Sequence, residues 1–81
     1  MFKNRANDGR ANVCGENVAK YRTKNEPKMS QRALAERLQV LGIDVDKNAI
    51  QRIECGKMFV TDIELVALSQ VLDVNIYDLL N

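Results

Sequence analysis

The chain has 81 residues, a formal net charge of +1, no histidine and no tryptophan. A chain of this length forms one domain and buries roughly two thirds of the surface that its unfolded state exposes. Without histidine it lacks the commonest general base and the commonest metal ligand, and its few aromatic side chains offer no platform for stacking bases. Composition therefore argues against an enzyme, a metal site or a cofactor.

The two cysteines, Cys14 and Cys55, are too few for a disulfide framework and lack the spacing of metal ligands. We interpret them as free thiols, which predicts a reducing, cytoplasmic location. No apolar run approaches the ~20 residues that cross a bilayer, and the N-terminus lacks the apolar segment of a signal peptide. We therefore expect neither a membrane nor a small-molecule ligand as partner.

Charge is distributed unevenly along the chain. Residues 1–32 carry eight basic and three acidic side chains, a net +5; residues 33–60 carry four of each; residues 61–81 carry four acidic and none basic, a net −4. Such a drift is common in tails and solvated helices, and it also fits a positive end that binds a polyanion. Residues 1–11, MFKNRANDGRA, form no periodic apolar face, which predicts a flexible basic N-terminal arm before a domain at residues 12–81. The arm either reaches along DNA or is an inert tail, and we favour the inert tail.

The rest of the chain predicts an all-α protein. In the first helix, Cys14, Val18 and Tyr21 recur at helical spacing after the capping residue Asn12, and Pro27 prevents its continuation. Four later points share one pattern, a capping residue flanked by two apolar residues five positions apart that can pack as a hydrophobic staple. These sets are Met29, Ser30 and Leu34; Val45, Asp46 and Ile50; Val60, Thr61 and Leu65; and Val74, Asn75 and Leu79. With no alternating stretch to indicate a strand, we expect five helices: Asn12–Lys24, Ser30–Leu41, Asp46–Cys55, Thr61–Leu72 and Asn75–Leu80.

The third predicted helix has one apolar and one polar side. Ala49, Ile50 and Ile53 converge on the first, and the second presents Lys47, Asn48, Gln51, Arg52 and Cys55. Amide and cationic heads match base edges in the major groove of DNA, which admits a helix. A solvated surface helix is the alternative, although ordinary exposed faces mix both signs of charge and this one has no carboxylate.

The second and fourth predicted helices carry further candidate contacts with partners. Gln31 and Arg32 lie in the first turn of the second helix, where the helix N-terminus favours a phosphate. The fourth helix is apolar nearly all round, which indicates either plain core or a surface shared with a partner. A homodimer through the fourth and fifth helices is the partner that we expect there.

The whole pattern resembles the Cro/C1-type (XRE-like) helix-turn-helix family of bacterial and phage regulators. The resemblance extends over about residues 13–81, and it is carried by Gln31, Leu34 and Ala35, by Ile50, Ile53, Glu54 and Gly56, and by the capped helix and short acidic apolar end that follow. It implies a compact five-helix lambda-repressor-like DNA-binding fold whose members bind operator DNA as dimers. The function implied is sequence-specific binding of double-stranded DNA by a small transcriptional regulator, a repressor.

The resemblance also assigns roles to residues. It places Gln31 at a phosphate and Lys47, Asn48, Gln51 and Arg52 at the bases, while Lys28 and Lys57 at the rims are further phosphate contacts. Family members pair the acid at Glu54 with an arginine of the first helix, here Arg22, so we expect a structural ion pair in place of two exposed charges.

The chain departs from the family pattern at two positions. Gln39 stands where the commonest spacing would put a turn glycine, so we expect Gly42 to make the bend before the third helix. Cys55 replaces a polar residue near the DNA backbone, and a thiol is a poor phosphate donor. Redox control is one interpretation of Cys55, but a helix C-terminus disfavours a thiolate, so we expect a passive cysteine.

Two other classes of function compete with DNA binding. A protein-interaction module, such as an antitoxin or adaptor, would keep the fold and bind with modest salt sensitivity, whereas DNA binding weakens steeply with salt. A hydrolase or transferase would need a nucleophile with a neighbouring base, and none is evident near Cys14.

Overall fold

The computed structural model describes residues 5–6 and 8–81; expectations for residues 1–4 and 7 lie outside this part. The described chain contains five helices and no strand: α1 (Gly15–Lys24), α2 (Gln31–Val40), α3 (Lys47–Glu54), α4 (Asp62–Leu72) and α5 (Ile76–Leu80). The expected all-α architecture is therefore confirmed over these residues. None of the five helices is long and apolar enough to cross a membrane.

The last four helices begin at the capping residues that the sequence predicts. The side chains of Ser30, Asp46, Thr61 and Asn75 each accept the backbone N–H three positions later. Thr61 and Glu64 form a capping box, in which the Glu64 carboxylate also accepts the Thr61 backbone N–H at 2.8 Å. Each such cap contributes about 1 kcal/mol, so short local signals determine where these helices start.

The first helix starts later than expected, at Gly15 instead of Asn12. The Asn12 side chain does accept the Gly15 N–H at 2.8 Å, but its amide group donates to Ile53 O at 3.1 Å and to Met58 O at 2.7 Å. A Cβ at position 15 would collide with Ile53 O, so only glycine allows α1 to begin this close to the end of α3. The chain before Gly15 is turned toward α3 and is not helical.

The core is built from the apolar faces of all five helices. Three staple residues, Leu34, Ile50 and Leu79, are fully buried, and so is Val18 of α1. Cys14 joins this core at 2% exposure, and its burial raises the pKa of the thiol. A buried, protonated Cys14 acts as a small apolar side chain, as the sequence predicts.

The described part of the segment predicted as a flexible arm makes contacts with the rest of the chain. Ala11 is buried, and its N–H donates to Gly56 O at 2.8 Å. Ala6 and Arg10 close a tight turn, with the Ala6 N–H donating to Arg10 O at 2.8 Å. The packed part of the chain therefore begins before Asn12, because an apolar side chain and backbone hydrogen bonds hold it against the end of α3.

The connection between α2 and α3 bends at Gly42, as expected. Gly42 has a φ of +88°, its N–H donates to Gln39 O, and the N–H of Ile43 donates to Leu38 O. This double pattern is a Schellman motif, which needs a left-handed residue at its corner. The Gln39 side chain closes the connection by donating to Val45 O at 2.7 Å.

Candidate nucleic-acid interface

The polar face of α3 is exposed along its whole length. Ala49, Ile50 and Ile53 are 5%, 0% and 1% exposed, which fixes the opposite side of the helix against the core. The exposed residues are those predicted to read bases, Lys47, Asn48, Gln51 and Arg52, together with Cys55 at the C-cap. The structure thus brings all four predicted base-reading side chains onto one accessible surface.

The only carboxylate within α3 is turned away from that surface. Glu54 accepts hydrogen bonds from Arg22 at both oxygens, with Nε at 2.7 Å from Oε2 and Nη2 at 3.0 Å from Oε1. The two side chains are 14% and 8% exposed. The expected ion pair is present, and it leaves the outward face of α3 with amide, cationic and thiol groups.

This pair is part of a larger network. Arg22 Nη1 also donates to Met29 O at 2.9 Å, and Gln31 Nε2 donates to Glu54 Oε1 at 2.9 Å. The network therefore joins α1, the residues leading into α2, and the last turn of α3. Because charge-assisted hydrogen bonds are about twice as strong as neutral ones, it holds α3 firmly against the other two helices.

Gln31 thus has a structural contact that the sequence did not predict. It is half-buried and one N–H of its side chain is committed to Glu54. A phosphate contact at this position has to come from the second amide N–H or from the backbone at the start of α2. The other predicted phosphate residues, Lys28, Arg32 and Lys57, are exposed.

A mixed-charge cleft separates α2 from the start of α3. It is lined by Arg32, Ala35, Glu36, Gln39, Asp46 and Lys47. The carboxylates of Glu36 and Asp46 repel phosphate, and carboxylates accept hydrogen bonds from the N4 amino group of cytosine. Sequence reasoning missed Glu36, although its place one turn after Arg32 on the polar side of α2 was visible from helical spacing.

Both cysteines are free, Cys14 in the core and Cys55 at the surface. Among the described residues, no three His, Cys, Asp or Glu side chains group into a metal site. Comparison of the chain with protein-family models, with curated proteins and with solved structures found no match.

Proposed function

We propose that this protein binds double-stranded DNA sequence-specifically and represses transcription, with α3 in the major groove. The observation that carries the proposal is the exposed row of Lys47, Asn48, Gln51 and Arg52, from which the one acid of the helix is withdrawn. An α-helix with its side chains is about 10–12 Å in diameter, which fits a major groove ~12 Å wide. The resemblance to Cro/C1-type regulators supports the same docking.

Three exposed side chains of α3 have roles that follow from their chemistry. Asn48 pairs with adenine through two hydrogen bonds, and Arg52 or Lys47 pairs with guanine, each pair being worth ~1–3 kcal/mol of discrimination. Arg32 and Lys57 at the rims contact phosphates, which orient the protein and carry no sequence information.

We assign a homodimer contact to α4 and α5. Four apolar side chains are exposed there: Ile63 at 69%, Val66 at 42%, Tyr77 at 71% and Leu80 at 47%. One recognition helix reads only a short half-site, and two half-sites about 34–36 Å apart multiply both affinity and specificity. Sedimentation of the wild type and of Ile63→Asp tests this contact. A monomeric mass for both proteins would exclude the homodimer.

The test of DNA binding is selection from random duplex DNA at two salt concentrations. We expect an enriched inverted repeat, and an affinity that falls on a log–log plot with a slope of about 0.9 per phosphate neutralised. Asn48→Ala and Arg52→Ala should relax preference at particular base pairs, whereas Arg32→Ala should weaken all sequences alike. A folded protein that enriches no sequence and ignores duplex DNA in dilute buffer would exclude the proposal.

A protein-interaction module is the second candidate, and the same exposed Ile63 and Tyr77 favour it. An apolar contact of this kind changes little with salt, because it neutralises no phosphate. The salt slope of the selected complex therefore separates the two functions directly.

A further inference from the structure

We propose that the docked segment, the described residues between Arg5 and Asn12, is a second phosphate-binding element that extends the DNA interface beyond the end of α3. This inference rests on the proposed DNA binding and adds Arg5 and Arg10 to its contacts. The two arginines lie outside every site assigned above.

The docked segment is held by carbonyl groups at the end of α3 and in the loop after it. Ala11 donates to Gly56 O, and Asn12 donates to Ile53 O and Met58 O. Gly56 and Met58 belong to the loop after α3, and Ile53 O also accepts the Gly56 N–H at 3.0 Å, so the Asn12 bond uses the second lone pair of that carbonyl. The segment therefore has a defined position relative to the recognition helix.

Arg10 lies over Gly56, two residues after the end of α3. Its aliphatic stem covers Gly56, where an added Cβ would lie only 3.0 Å from Arg10 Cγ. Asp8 Oδ2 lies 2.7 Å from Arg10 Nε and offsets part of the charge of the guanidinium. A guanidinium carries five N–H donors in a planar fork, so its Nη edge can still bind a phosphate through two hydrogen bonds.

Arg5 is held over the loop that follows α3. Its guanidinium carbon lies 5.2 Å from the centre of the Phe59 ring, and its Nη1 donates to Gly9 O at 3.3 Å. Stacking on a ring leaves the planar edge of a guanidinium accessible, and Arg5 is exposed. Arg5, Arg10 and the exposed Lys57 thus flank the C-terminal end of α3 with three cations.

The expected docking of α3 brings these cations to the DNA backbone. A recognition helix lies in the major groove with its N-terminal residues at the base edges, so its C-terminal end is directed away from the bases and toward the phosphates of the groove wall. Cations located just past its last turn therefore meet a phosphate. Because Arg5 and Arg10 are already positioned, binding orders less chain than a free arm would require.

The test compares two double variants that remove the same charge. Arg5→Ala/Arg10→Ala changes the docked segment, and Lys20→Ala/Lys24→Ala changes two exposed lysines of α1. On the selected duplex, the first should lower the log–log salt slope by about 1.8, weaken binding roughly tenfold or more and leave base preference unchanged. The second should change the slope by much less, because Lys20 and Lys24 belong to none of the contacts assigned to DNA.

Thermal melting of each variant separates binding from folding. If loss of the Arg10 stem unfolds the double variant, Arg5→Ala alone keeps the test intact, because Arg5 is exposed, and it should lower the slope by about 0.9. Equal slopes for wild type and the folded arginine variant, or equal losses in both double variants, would overturn the role of the docked segment and leave the recognition helix in place. A wild type that binds no duplex would instead defeat the proposed function itself.

Discussion

Replacing Arg22 by alanine should strongly destabilise the protein. The change removes two hydrogen bonds to the Glu54 carboxylate and one to Met29 O. It leaves the Glu54 carboxyl group without its counter-ion, with its side chain 8% exposed and with Gln31 as the side chain that still donates to it. A buried charge without its counter-ion is one of the few single-residue defects that cost several kcal/mol.

The magnitude follows from the burial of the pair. Breaking a buried ion pair by removing one partner costs ~3–5 kcal/mol. A chain of 81 residues has a total stability of roughly 4–12 kcal/mol at about 0.05–0.15 kcal/mol per residue. In a domain of this size each kcal/mol shifts the melting temperature by roughly 4–8 °C, so Arg22→Ala should lower Tm by roughly 12 °C or more.

Thermal melting followed by circular dichroism measures this effect. Lys24→Ala is the matched control, because Lys24 is an exposed cation in the same helix and its loss should cost less than about 0.5 kcal/mol. The double variant Arg22→Met/Glu54→Leu should be much more stable than the sum of its single changes, since removing both charges leaves neither one unpaired. An Arg22→Ala protein that melts within about 2 °C of wild type would show that Glu54 needs no partner.

Four smaller changes probe other features of the fold. Asp73→Gly should raise stability by about 1 kcal/mol in denaturant titration, because Asp73 holds a left-handed φ of 56° at the end of α4. Gly42→Ala should lower stability by a similar amount, since its φ is +88° while open space surrounds the new Cβ; no loss would mean that the bend tolerates a side chain. A thiol reagent should label Cys55 in the native protein and Cys14 only on unfolding, and Cys55→Ser should abolish the fast reaction. Because burial raises the pKa of the Cys14 thiol, the folded state keeps this proton longer, so stability should fall as pH rises above about 9 and Cys14→Ala should remove that part of the fall.

The helix starts could be predicted because their signals are local. The Ser30 side chain caps α2 through the N–H of Ala33, only three positions along the chain. Asn12 shows the limit of such reasoning, because its amide group bonds Ile53 O and Met58 O, 41 and 46 positions away. Capping chemistry alone therefore predicts a helix start at Asn12, whereas the fold uses its amide group for contacts elsewhere.

The network around Glu54 shows a second limit. Arg22 and Glu54 are 32 positions apart, and only the family resemblance singled out this partner. Gln31 lies at a helix start, where a surface role is the ordinary expectation, and its bond to Glu54 spans 23 positions. Helical spacing indicates which side of a helix a residue occupies, but it does not indicate which distant side chain meets it there.

The connection between α2 and α3 explains how the chain accommodates Gln39 where the family spacing would put a glycine. The helix continues through Gln39, the bend moves to Gly42, and the Gln39 side chain reaches Val45 O just before α3 begins. The start of α3 is thus tied to α2 by this bond, and its end is tied to α1 and α2 through Glu54. Since both ends are held by residues that do not face outward from α3, its polar face contributes little to folding. If the protein binds DNA as proposed, alanine substitutions on that face should therefore change DNA preference while leaving the melting temperature within about 4 °C of wild type, so that binding and stability can be measured separately.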